Sequence, residues 1–358
     1  MTAPTPADAP PIRLALPSKG SLGEGAGALL KLAGHKVLRH SDRQYVATIA
    51  GRPRFEVVFM RPGDIVAQVQ EGRCQLGVTG LDLYQEYAGD DPRTTVVIET
   101  LGYGDCRLVV AVPESWIDVT HIIDLVDLST EFKAGGKTLR VSTKYPGLTA
   151  AFFRKWGIYH YQLVHSDGAL ELHPTLGIAD VIVDLTSSGT TLKDNRLRMI
   201  EQGMVLESAA CLIGHLPGLA PLVAEEDEGP LALLLDALDG VLHAEGRLHL
   251  EVVGGPAAPG TATAAAVAAY LRDEGAWHVV RGEIWDDRDE PGWRVTALVP
   301  AKKLAGYRRR LFRLGAGRVV GLPARFVFDR DAHSTFDSLK DQLARAPWVA
   351  AQARDEDT

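Results

Sequence analysis

A turn rich in hydroxyl groups follows a short buried strand in the middle of the chain. The strand is Val181–Val183, and a helix is expected to start near Leu192. Between them lie Thr186, Ser187, Ser188, Gly189, Thr190 and Thr191. Glycine lets the backbone approach a ligand closely, and its neighbours supply N–H and O–H donors suited to phosphate oxygens. The turn therefore predicts a phosphate-binding site, with simple capping of the following helix as the alternative.

Two aspartates flank the same strand: Asp180 precedes it and Asp184 follows it. Residues four apart in an extended chain project to the same side, so both carboxylates are expected beside the turn. There they could hold a hydrated magnesium ion or a pair of ribose hydroxyls. For either aspartate taken singly, the alternative is a structural role such as capping the turn. Phosphate donors next to carboxylates predict a site for a phosphorylated sugar.

The composition of the 358-residue chain favours a cytoplasmic enzyme. No apolar run approaches the roughly 20 residues that a membrane span needs. The first eleven residues lack a basic group and an apolar core, so a disordered tail is expected there and not a secretion signal. Cys74, Cys106 and Cys211 lack paired spacing, which argues against a disulfide framework or a zinc site. A formal charge of -8 disfavours nucleic-acid binding, although it leaves room for a local basic cleft.

Alternating strands and helices would position the site. Residues 12–102 and 196–228 are expected to form one α/β lobe, and residues 103–195 a second lobe that carries the turn. The chain returns to the first lobe through Ala209–Ile213. The other predicted elements are the strands Ile12–Leu16, Phe55–Met60, Leu76–Val78, Arg107–Val112 and Leu139–Ser142, and the helices Leu22–Ala33, Ile65–Gln70 and Thr149–Trp156. Because ligands of open α/β sheets lie at the carboxyl ends of strands, two such lobes predict a ligand cleft.

A third domain is predicted over residues 245–328. Its segments follow the β-α-β-β-α-β order of a ferredoxin-like unit: Leu248–Val253, Ala262–Leu271, His278–Ile284, Val295–Val299, Leu304–Leu314 and Val319–Leu322. An acidic loop, Glu225–Pro230, and a connecting helix, Leu231–Leu242, precede it. No catalytic cluster is evident in this domain, which favours regulation or assembly. Residues 331–358 are expected to form a solvent-exposed helix and a tail.

The stretch from Glu171 to Leu192 resembles the signature of the ATP phosphoribosyltransferase family. The matching positions are Glu171, Gly177, Ala179, Ile182, Asp184, Leu185, Ser188, Gly189, Thr191 and Leu192. Five further segments resemble the same family in the same order: Leu16–Gly20, Arg61–Ile65, Leu76–Asp82, Gly104–Leu108 and Ser142–Pro146. Together they extend over residues 12–215, and a match of this length is far more specific than a single glycine-rich loop.

The resemblance implies a fold and a reaction. The fold is that of type II periplasmic binding proteins, followed in the long form of the family by a domain that binds L-histidine as a feedback inhibitor and helps to assemble a hexamer. In the reaction, the adenine N1 of ATP attacks C1 of phosphoribosyl pyrophosphate to give phosphoribosyl-ATP and pyrophosphate, the first step of histidine biosynthesis. Both substrates are anions, and Mg2+ is the expected cofactor. No nucleic acid or membrane partner is implied.

The resemblance also implies roles for individual residues. Lys19, Arg107, Lys144 and Glu171 are expected to be catalytic: the cations neutralise pyrophosphate or triphosphate, and Glu171 orients either the adenine or the sugar. The phosphoribosyl pyrophosphate site comprises Asp180, Asp184, Thr186, Ser187, Ser188, Gly189, Thr190 and Thr191. The ATP site comprises Lys19, Gly20, Arg61, Thr79, Gly80 and Asp82. No separate set of metal ligands is assigned, because magnesium is expected to bind through the substrate phosphates.

The chain departs from the family pattern at three places. Ser21 stands where the family usually has arginine, so that contact to ATP is missing or supplied by Arg39 or Arg43. Gln75 replaces a frequent aspartate. In the third domain, Gly254–Gly260 and an alanine-rich helix replace the sequence pattern that is recognisable in the family. This difference weakens the expectation of histidine feedback.

Two other functions share some of these features. A solute-binding module would have the same two lobes and phosphate cradle without turnover. Against it, no secretion signal is recognised in this sequence, and a binding protein does not need a separate ferredoxin-like domain. Other cytosolic phosphoribosyltransferases place an adjacent acidic pair before their phosphate loop inside one Rossmann-like domain. Here the two aspartates are separated, and two lobes are predicted.

Overall fold

The computed structural model describes residues 10–41, 43–166, 168–225, 228–255, 264–285, 290–329 and 334–346. The described residues up to Leu235, together with those from Thr335 onwards, form one compact unit. Those from Asp236 to Ser334 form a second unit. Most of the predicted N-terminal tail lies outside the described residues.

The first unit is built from alternating strands and helices. Its strands are β1 (Ile12–Pro17), β2 (Val37–Leu38), β3 (Val46–Ile49), β4 (Arg52–Met60), β5 (Leu76–Gly80), β6 (Thr94–Ile98), β7 (Cys106–Pro113), β8 (Leu139–Thr143), β9 (Tyr161–His165), β10 (Val181–Thr186), β11 (Leu197–Ser208) and β12 (Ala210–His215). Its helices are α1 (Gly20–Leu32), α2 (Pro62–Gln70), α3 (Leu81–Tyr87), α4 (Ile122–Ala134), α5 (Pro146–Trp156), α6 (Thr190–Asp194) and α7 (Leu216–Val223). Helix α8 (Pro230–Ala244) then runs from the first unit into the second.

Lobe I is a seven-stranded sheet in the order β2-β3-β4-β1-β5-β12-β6. Its central strand β1 pairs in parallel with β4 and β5, while β12 pairs antiparallel with β5 and β6. Strand β1 is almost wholly buried, because it is an inner strand of the sheet and helices α1 and α2 pack against it. A continuous apolar run is typical of such a strand, which is why Ile12–Leu16 was recognisable from the sequence.

Lobe II is a five-stranded sheet in the order β11-β7-β10-β8-β9. Strand β10, which leads into the hydroxyl-rich turn, pairs in parallel with β8 and antiparallel with β7. The chain enters lobe II between β6 and β7 and returns to lobe I at β12, as predicted for Ala209–Ile213. Two α/β lobes joined by two crossings confirm the type II periplasmic-binding-protein-like fold.

One predicted lobe boundary is wrong. Residues 196–208 were assigned to lobe I, but β11 belongs to the sheet of lobe II. The reason is its antiparallel pairing with β7, which runs from Leu197 opposite Pro113 to Ser208 opposite Cys106. Both strands therefore reach the crossing between the lobes at the same level.

The second unit has the predicted ferredoxin-like topology. Its elements are β13 (Arg247–Gly254), α9 (Ala264–Asp273), β14 (Trp277–Trp285), β15 (Pro291–Pro300), α10 (Leu304–Arg313) and β16 (Arg318–Pro323). The antiparallel sheet has the order β14-β15-β13-β16. Residues 256–263 lie outside the described part of the chain. They include most of the segment that departs from the sequence pattern of the family.

The C-terminal segment differs from the prediction of a solvent-exposed helix and a tail. Residues 335–344 do form a helix, α11 (Thr335–Ala344), but Phe336, Leu339 and Leu343 on it are buried. The helix packs against α7 and β6 of lobe I. Thr95 Oγ1 donates a hydrogen bond to Gln342 Oε1 at 2.6 Å. Apolar residues at helical spacing on one side of α11 therefore return the chain to the first unit after the ferredoxin-like domain.

Candidate active site

The hydroxyl-rich turn follows β10 directly and leads into α6. The backbone N–H of Gly189 donates to Thr186 Oγ1 at 2.9 Å, so the buried Thr186 hydroxyl shapes the turn from inside. Gly189 has a φ of +79°, a conformation that glycine adopts without strain. The hydroxyl groups of Ser188 and Thr190 are hydrogen-bonded to each other, with 2.9 Å between Oγ and Oγ1. The exposed hydroxyl groups of the turn are those of Ser187, Ser188, Thr190 and Thr191. The turn is thus an open cradle lined by donors.

Asp184 lies at the end of β10 in a partly buried, acidic surrounding. The backbone N–H of Leu185 donates to Asp184 Oδ1 at 2.8 Å. Burial raises the pKa of Asp184, and the charge of Glu171 raises it further, while the Leu185 N–H and the Lys144 ammonium act in the opposite direction. Glu171 and Lys144 therefore lie near enough to Asp184 for their charges to act on it.

The lobe II cations approach the turn from neighbouring strands. Arg107 on β7 lies opposite Thr186 in the antiparallel register. Lys144 directly follows β8, the parallel neighbour of β10. Both side chains are half-buried, and no ion pair involves either of them among the described residues. Strand order therefore places two cationic side chains at the edge of the sheet where the phosphate cradle lies.

Asp180 does not share this location, which corrects the prediction for that residue. It precedes β10 and so lies at the opposite end of the strand from Asp184. Its carboxylate is held by Arg140, with Nη2 at 2.7 Å from Oδ1 and Nε at 3.1 Å from Oδ2. The backbone N–H of Arg140 also donates to Oδ2 at 2.8 Å. A separation of four residues gives the two aspartates the same side of the strand but spreads them along its length.

We expect Asp180→Asn to lower the stability of the protein without weakening substrate binding. Hydrogen bonds to charged groups contribute about 1.5–3 kcal/mol each, and the neutral amide would lose part of that stabilisation. Chemical denaturation measures the loss, and the KM for phosphoribosyl pyrophosphate should stay within twofold of the wild-type value. A large rise in that KM would return Asp180 to the ligand site.

The predicted lobe I residues divide into exposed and internally bonded groups. Lys19, Gly20 and Arg61 are exposed at the starts of α1 and α2. Thr79 is buried, and its hydroxyl donates to the Pro62 carbonyl at 3.0 Å. The first group is accessible to a ligand, whereas the Thr79 hydroxyl supports the edge of the lobe.

Asp82 is buried at the junction between the lobes. Its Oδ2 accepts a 2.6 Å hydrogen bond from the Tyr145 hydroxyl of lobe II, and its Oδ1 accepts a 2.7 Å bond from Ser208 Oγ. Burial, followed by the charge of Asp82, raises the pKa of Tyr145 far above its usual value, so the phenol stays protonated. Asp82 was predicted to bind ATP; in the structure it joins the two lobes.

A cavity of about 410 Å³ separates the two lobes beside this junction. It is lined by Ser21, Leu22, Pro62, Gly80, Asp82, Leu83, Gly104, Asp105, Cys106, Tyr145, Leu185, Thr186, Ser187 and Ala209. Both the phosphate cradle and the predicted ATP side therefore contribute to one cleft. Sequence reasoning did not single out Tyr145 or Leu83, although both lie in or next to family-like segments.

Arg39 or Arg43 was expected to supply the contact to ATP that is lost because Ser21 replaces the usual arginine. Ser21 lines the cleft, and neither arginine does. Arg39 lies over the ring of Phe59 at 4.0 Å and donates from Nε to the Gln44 carbonyl at 3.0 Å. The structure therefore gives Arg39 a local role and does not bring it to the cleft.

Two larger cavities lie elsewhere. One of about 550 Å³ is on the ferredoxin-like sheet near Arg281, Trp285 and Trp293. Another of about 540 Å³ lies beside α4, where Asp118, Asp127 and Glu131 contribute carboxylates. The inter-lobe cleft differs from both in being lined by two hydroxyl residues of the turn, Thr186 and Ser187.

Among the described residues, the cradle offers two carboxylates but no ready-made metal cluster. Within the described ranges, no group of three or more His, Cys, Asp or Glu side chains is arranged to hold an ion. Asp184 and Glu171 provide carboxylates at the cradle. Magnesium usually binds to proteins through one or two carboxylates together with substrate phosphates, and this donor set fits that mode.

Fold and site together define an α/β protein of two lobes with a cleft between them, and the hydroxyl-rich turn lines one side of that cleft. The model of the family "HisG: ATP phosphoribosyltransferase" matches residues 61–220. The ATP phosphoribosyltransferase of Bradyrhizobium sp. (strain ORS 278) is 40% identical over 239 residues, which cover 66% of this chain and 71% of that protein. The enzyme of Brucella suis (strain ATCC 23445 / NCTC 10510) is 44% identical over 205 residues, or 56% of this chain and 89% of the relative.

Two solved structures are also similar. The ATP phosphoribosyl transferase (HisG:HisZ) complex from Thermotoga maritima has a TM-score of 0.49 and 23% identity, and the match covers 64% of this chain and 98% of that chain. The periplasmic aliphatic sulphonate binding protein SsuA from Escherichia coli has a TM-score of 0.40 and 14% identity, covering 64% and 73%.

The chain belongs to the ATP phosphoribosyltransferase family, which the sequence relatives establish. It is a glycosyltransferase of histidine biosynthesis. In the part of the chain that the structure describes, no helix has both the length and the apolar character needed to cross a membrane.

Proposed function

We propose that the protein transfers the 5-phosphoribosyl group of phosphoribosyl pyrophosphate to N1 of the adenine of ATP. The products are phosphoribosyl-ATP and pyrophosphate, and the reaction is the first step of L-histidine biosynthesis. The observation that carries this proposal is the open turn of Ser187–Thr191 next to Asp184, with Arg107 and Lys144 on the adjoining strands.

The turn would hold the 5-phosphate through its backbone N–H groups and exposed hydroxyls. Asp184 would then accept hydrogen bonds from the ribose hydroxyls, and Glu171 would lie beside the sugar or the adenine. Arg107, Lys144 and Lys19 would neutralise the pyrophosphate and triphosphate. Each part of phosphoribosyl pyrophosphate thus has a complementary group: the turn for the 5-phosphate, Asp184 for the ribose hydroxyls and the cations for the pyrophosphate.

In the transfer itself, the lone pair of adenine N1 forms the new bond to C1 while the C1–O bond breaks and its electron pair leaves with pyrophosphate. The purine nitrogen needs no side chain to remove a proton before attack, so catalysis rests on positioning and charge stabilisation. Mg2+ bound to the substrate phosphates would spread the charge of the leaving group, and Asp184 would be a carboxylate of this chain that could help to hold it.

The remaining assignments concern the ATP side and the cell. Lys19, Gly20, Arg61 and Gly80 would contact ATP at the lobe I edge of the cleft, and Thr79 and Asp82 would support that edge. The protein would act in the cytoplasm as a homo-oligomer, a hexamer in the long form of the family.

The direct test combines ATP, phosphoribosyl pyrophosphate and Mg2+ with the purified protein. We expect an absorbance increase from phosphoribosyl-ATP together with stoichiometric release of pyrophosphate. Omitting either substrate, or replacing ATP by GTP, should abolish the signal. Tight binding of phosphoribosyl pyrophosphate without release of pyrophosphate would instead favour the solute-binding alternative.

We expect L-histidine to bind the ferredoxin-like domain and slow the enzyme. Calorimetric titration of histidine onto the intact protein should give a saturable heat, and by linkage the affinity should fall when substrates are present. Histidinol, which lacks the carboxylate, serves as the control. If saturating histidine gives neither heat nor a thermal shift, the domain serves assembly alone.

A further inference from the structure

Helix α3 of lobe I supplies a helix cap to lobe II. Glu86 on α3 accepts hydrogen bonds from two backbone N–H groups at the start of α5: Oε1 from Gly147 at 2.7 Å and Oε2 from Leu148 at 2.9 Å. Helix α5 has no side-chain cap from its own N-cap residue, Tyr145. The first N–H groups of a helix lack partners inside that helix. The two on α5 are thus satisfied from the other lobe.

Asp82 is one turn before Glu86 on the same helix. It accepts the hydrogen bond from the Tyr145 hydroxyl, so α3 holds the segment from Tyr145 to Leu148 at two points. Lys144, a predicted catalytic cation, is the residue immediately before this segment. Any movement of the lobes that separates α3 from α5 must break the two bonds to Glu86.

We propose that Glu86 is an inter-lobe positioning residue that holds α5, and with it Lys144, against lobe I in the closed form. This inference rests on the proposed function, because it assigns Glu86 a role in placing groups for that reaction. Glu86 itself does not line the cleft. It stabilises the closed arrangement of the lobes. Both substrates depend on that arrangement, because ATP is assigned to the lobe I side of the cleft and phosphoribosyl pyrophosphate to the lobe II side.

The consequence is a specific kinetic pattern. Without the Glu86 carboxylate, the open form gains population, and each substrate must bind a form that is less populated. The KM values for ATP and for phosphoribosyl pyrophosphate should therefore rise by a similar factor. The value of kcat should change little, because saturating substrates restore the closed form.

Asp124 provides a matched control within lobe II. Its carboxylate accepts hydrogen bonds from the backbone N–H groups of Thr120 and His121, at 2.8 Å each, in the capping box at the start of α4. This cap lies inside one lobe. Asp124→Ala should lower the melting temperature and leave both KM values unchanged, whereas Glu86→Ala should raise both by about tenfold, the scale of one charge-assisted hydrogen bond. Glu86→Gln, which keeps one acceptor oxygen, should give an intermediate rise.

A substitution at Gly147 should change substrate binding without lowering the stability of the protein. A Cβ at this position would lie 3.1 Å from Glu86 Oε1, close enough to push the carboxylate away. Alanine is also the better helix former. Gly147→Ala should therefore raise both KM values, by less than Glu86→Ala, without lowering the melting temperature. This variant keeps the test decisive if Glu86→Ala folds poorly.

Hydrogen exchange of the ligand-free proteins provides a readout that does not need turnover. Glu86→Ala should speed exchange both in the first turn of α5 and in the cleft segments around Gly104 and Leu185. Asp124→Ala should speed it only around α4. A wild-type protein that releases no pyrophosphate would refute the proposed reaction and leave this comparison intact. The positioning role is refuted if both variants change only the melting temperature, or if the exchange of Glu86→Ala rises only within α5.

Discussion

Replacing Gly189 by valine should raise the KM for phosphoribosyl pyrophosphate by roughly one to two orders of magnitude, the equivalent of about 1.5–3 kcal/mol for a charge-assisted phosphate contact. The cause is the backbone. Gly189 has a φ of +79°, and no atom within 4 Å would collide with a Cβ there. A β-branched residue is a true outlier at such a φ, so valine should pull the turn out of shape. Adding Thr191→Ala should increase the effect by removing a donor.

Steady-state kinetics with each substrate varied in turn is the measurement. The KM for ATP should change far less, since ATP is assigned to the lobe I side. Gly189→Asn is the control, because asparagine tolerates positive φ better than valine and should preserve more of the turn. Equal increases in both KM values would argue against the cradle as the 5-phosphate site.

Asp184→Asn should inactivate the enzyme while making it more stable. Hydrogen bonds that ribose hydroxyls donate to a charged carboxylate contribute about 1.5–3 kcal/mol each, so weakening two of them should lower kcat/KM by at least roughly two orders of magnitude. The amide keeps an oxygen for the Leu185 N–H, which donates to Asp184 Oδ1 at 2.8 Å. Thermal unfolding and pyrophosphate release measure the two effects on the same sample.

The sign of the stability change follows from the pKa of Asp184. Burial, and then the charge of Glu171, raises this pKa above its ordinary value in the folded state. A raised carboxyl pKa means that folding favours the protonated form, so ionised Asp184 destabilises the fold above that pKa. The contribution to stability is fully present below the unfolded-state pKa and is lost as the pH rises through the folded-state pKa. The neutral amide removes this cost at neutral pH.

The stabilisation by Asp184→Asn should therefore grow as the pH rises from the acid range to neutrality. The kcat/KM of the wild type, which reports on ionisation in the free enzyme, should fall on the acid side as Asp184 gains a proton. Leu185→Ala is a nearby control that keeps the carboxylate and the backbone N–H. A melting temperature for Asp184→Asn below that of the wild type at pH 7 would show that the carboxylate stabilises the fold instead.

Much of the fold was predictable because its elements carry strong local patterns. The central strands β1 and β10 are apolar runs, and the ferredoxin-like unit has six segments of ordinary length in the right order. Among the strands that were missed, β2 has only two residues, and β9 has no fully buried position. Where neither face of a strand is fully buried, the sequence lacks a hydrophobic repeat that would reveal it.

The sequence by itself determined the family and the reaction type, and it predicted the hydroxyl-rich turn as a phosphate site, since all three depend on the contiguous residues from Glu171 to Leu192. Only the tertiary structure decided which of the two carboxylates lies beside the turn. Asp180 and Asp184 look equivalent along the chain, but one meets Arg140 at the start of β10 and the other meets Lys144 and Glu171 at its end. The same holds for Asp82 and Glu86, whose partners Tyr145, Gly147 and Leu148 lie about sixty residues away in the sequence and reach them only because two lobes close on one another.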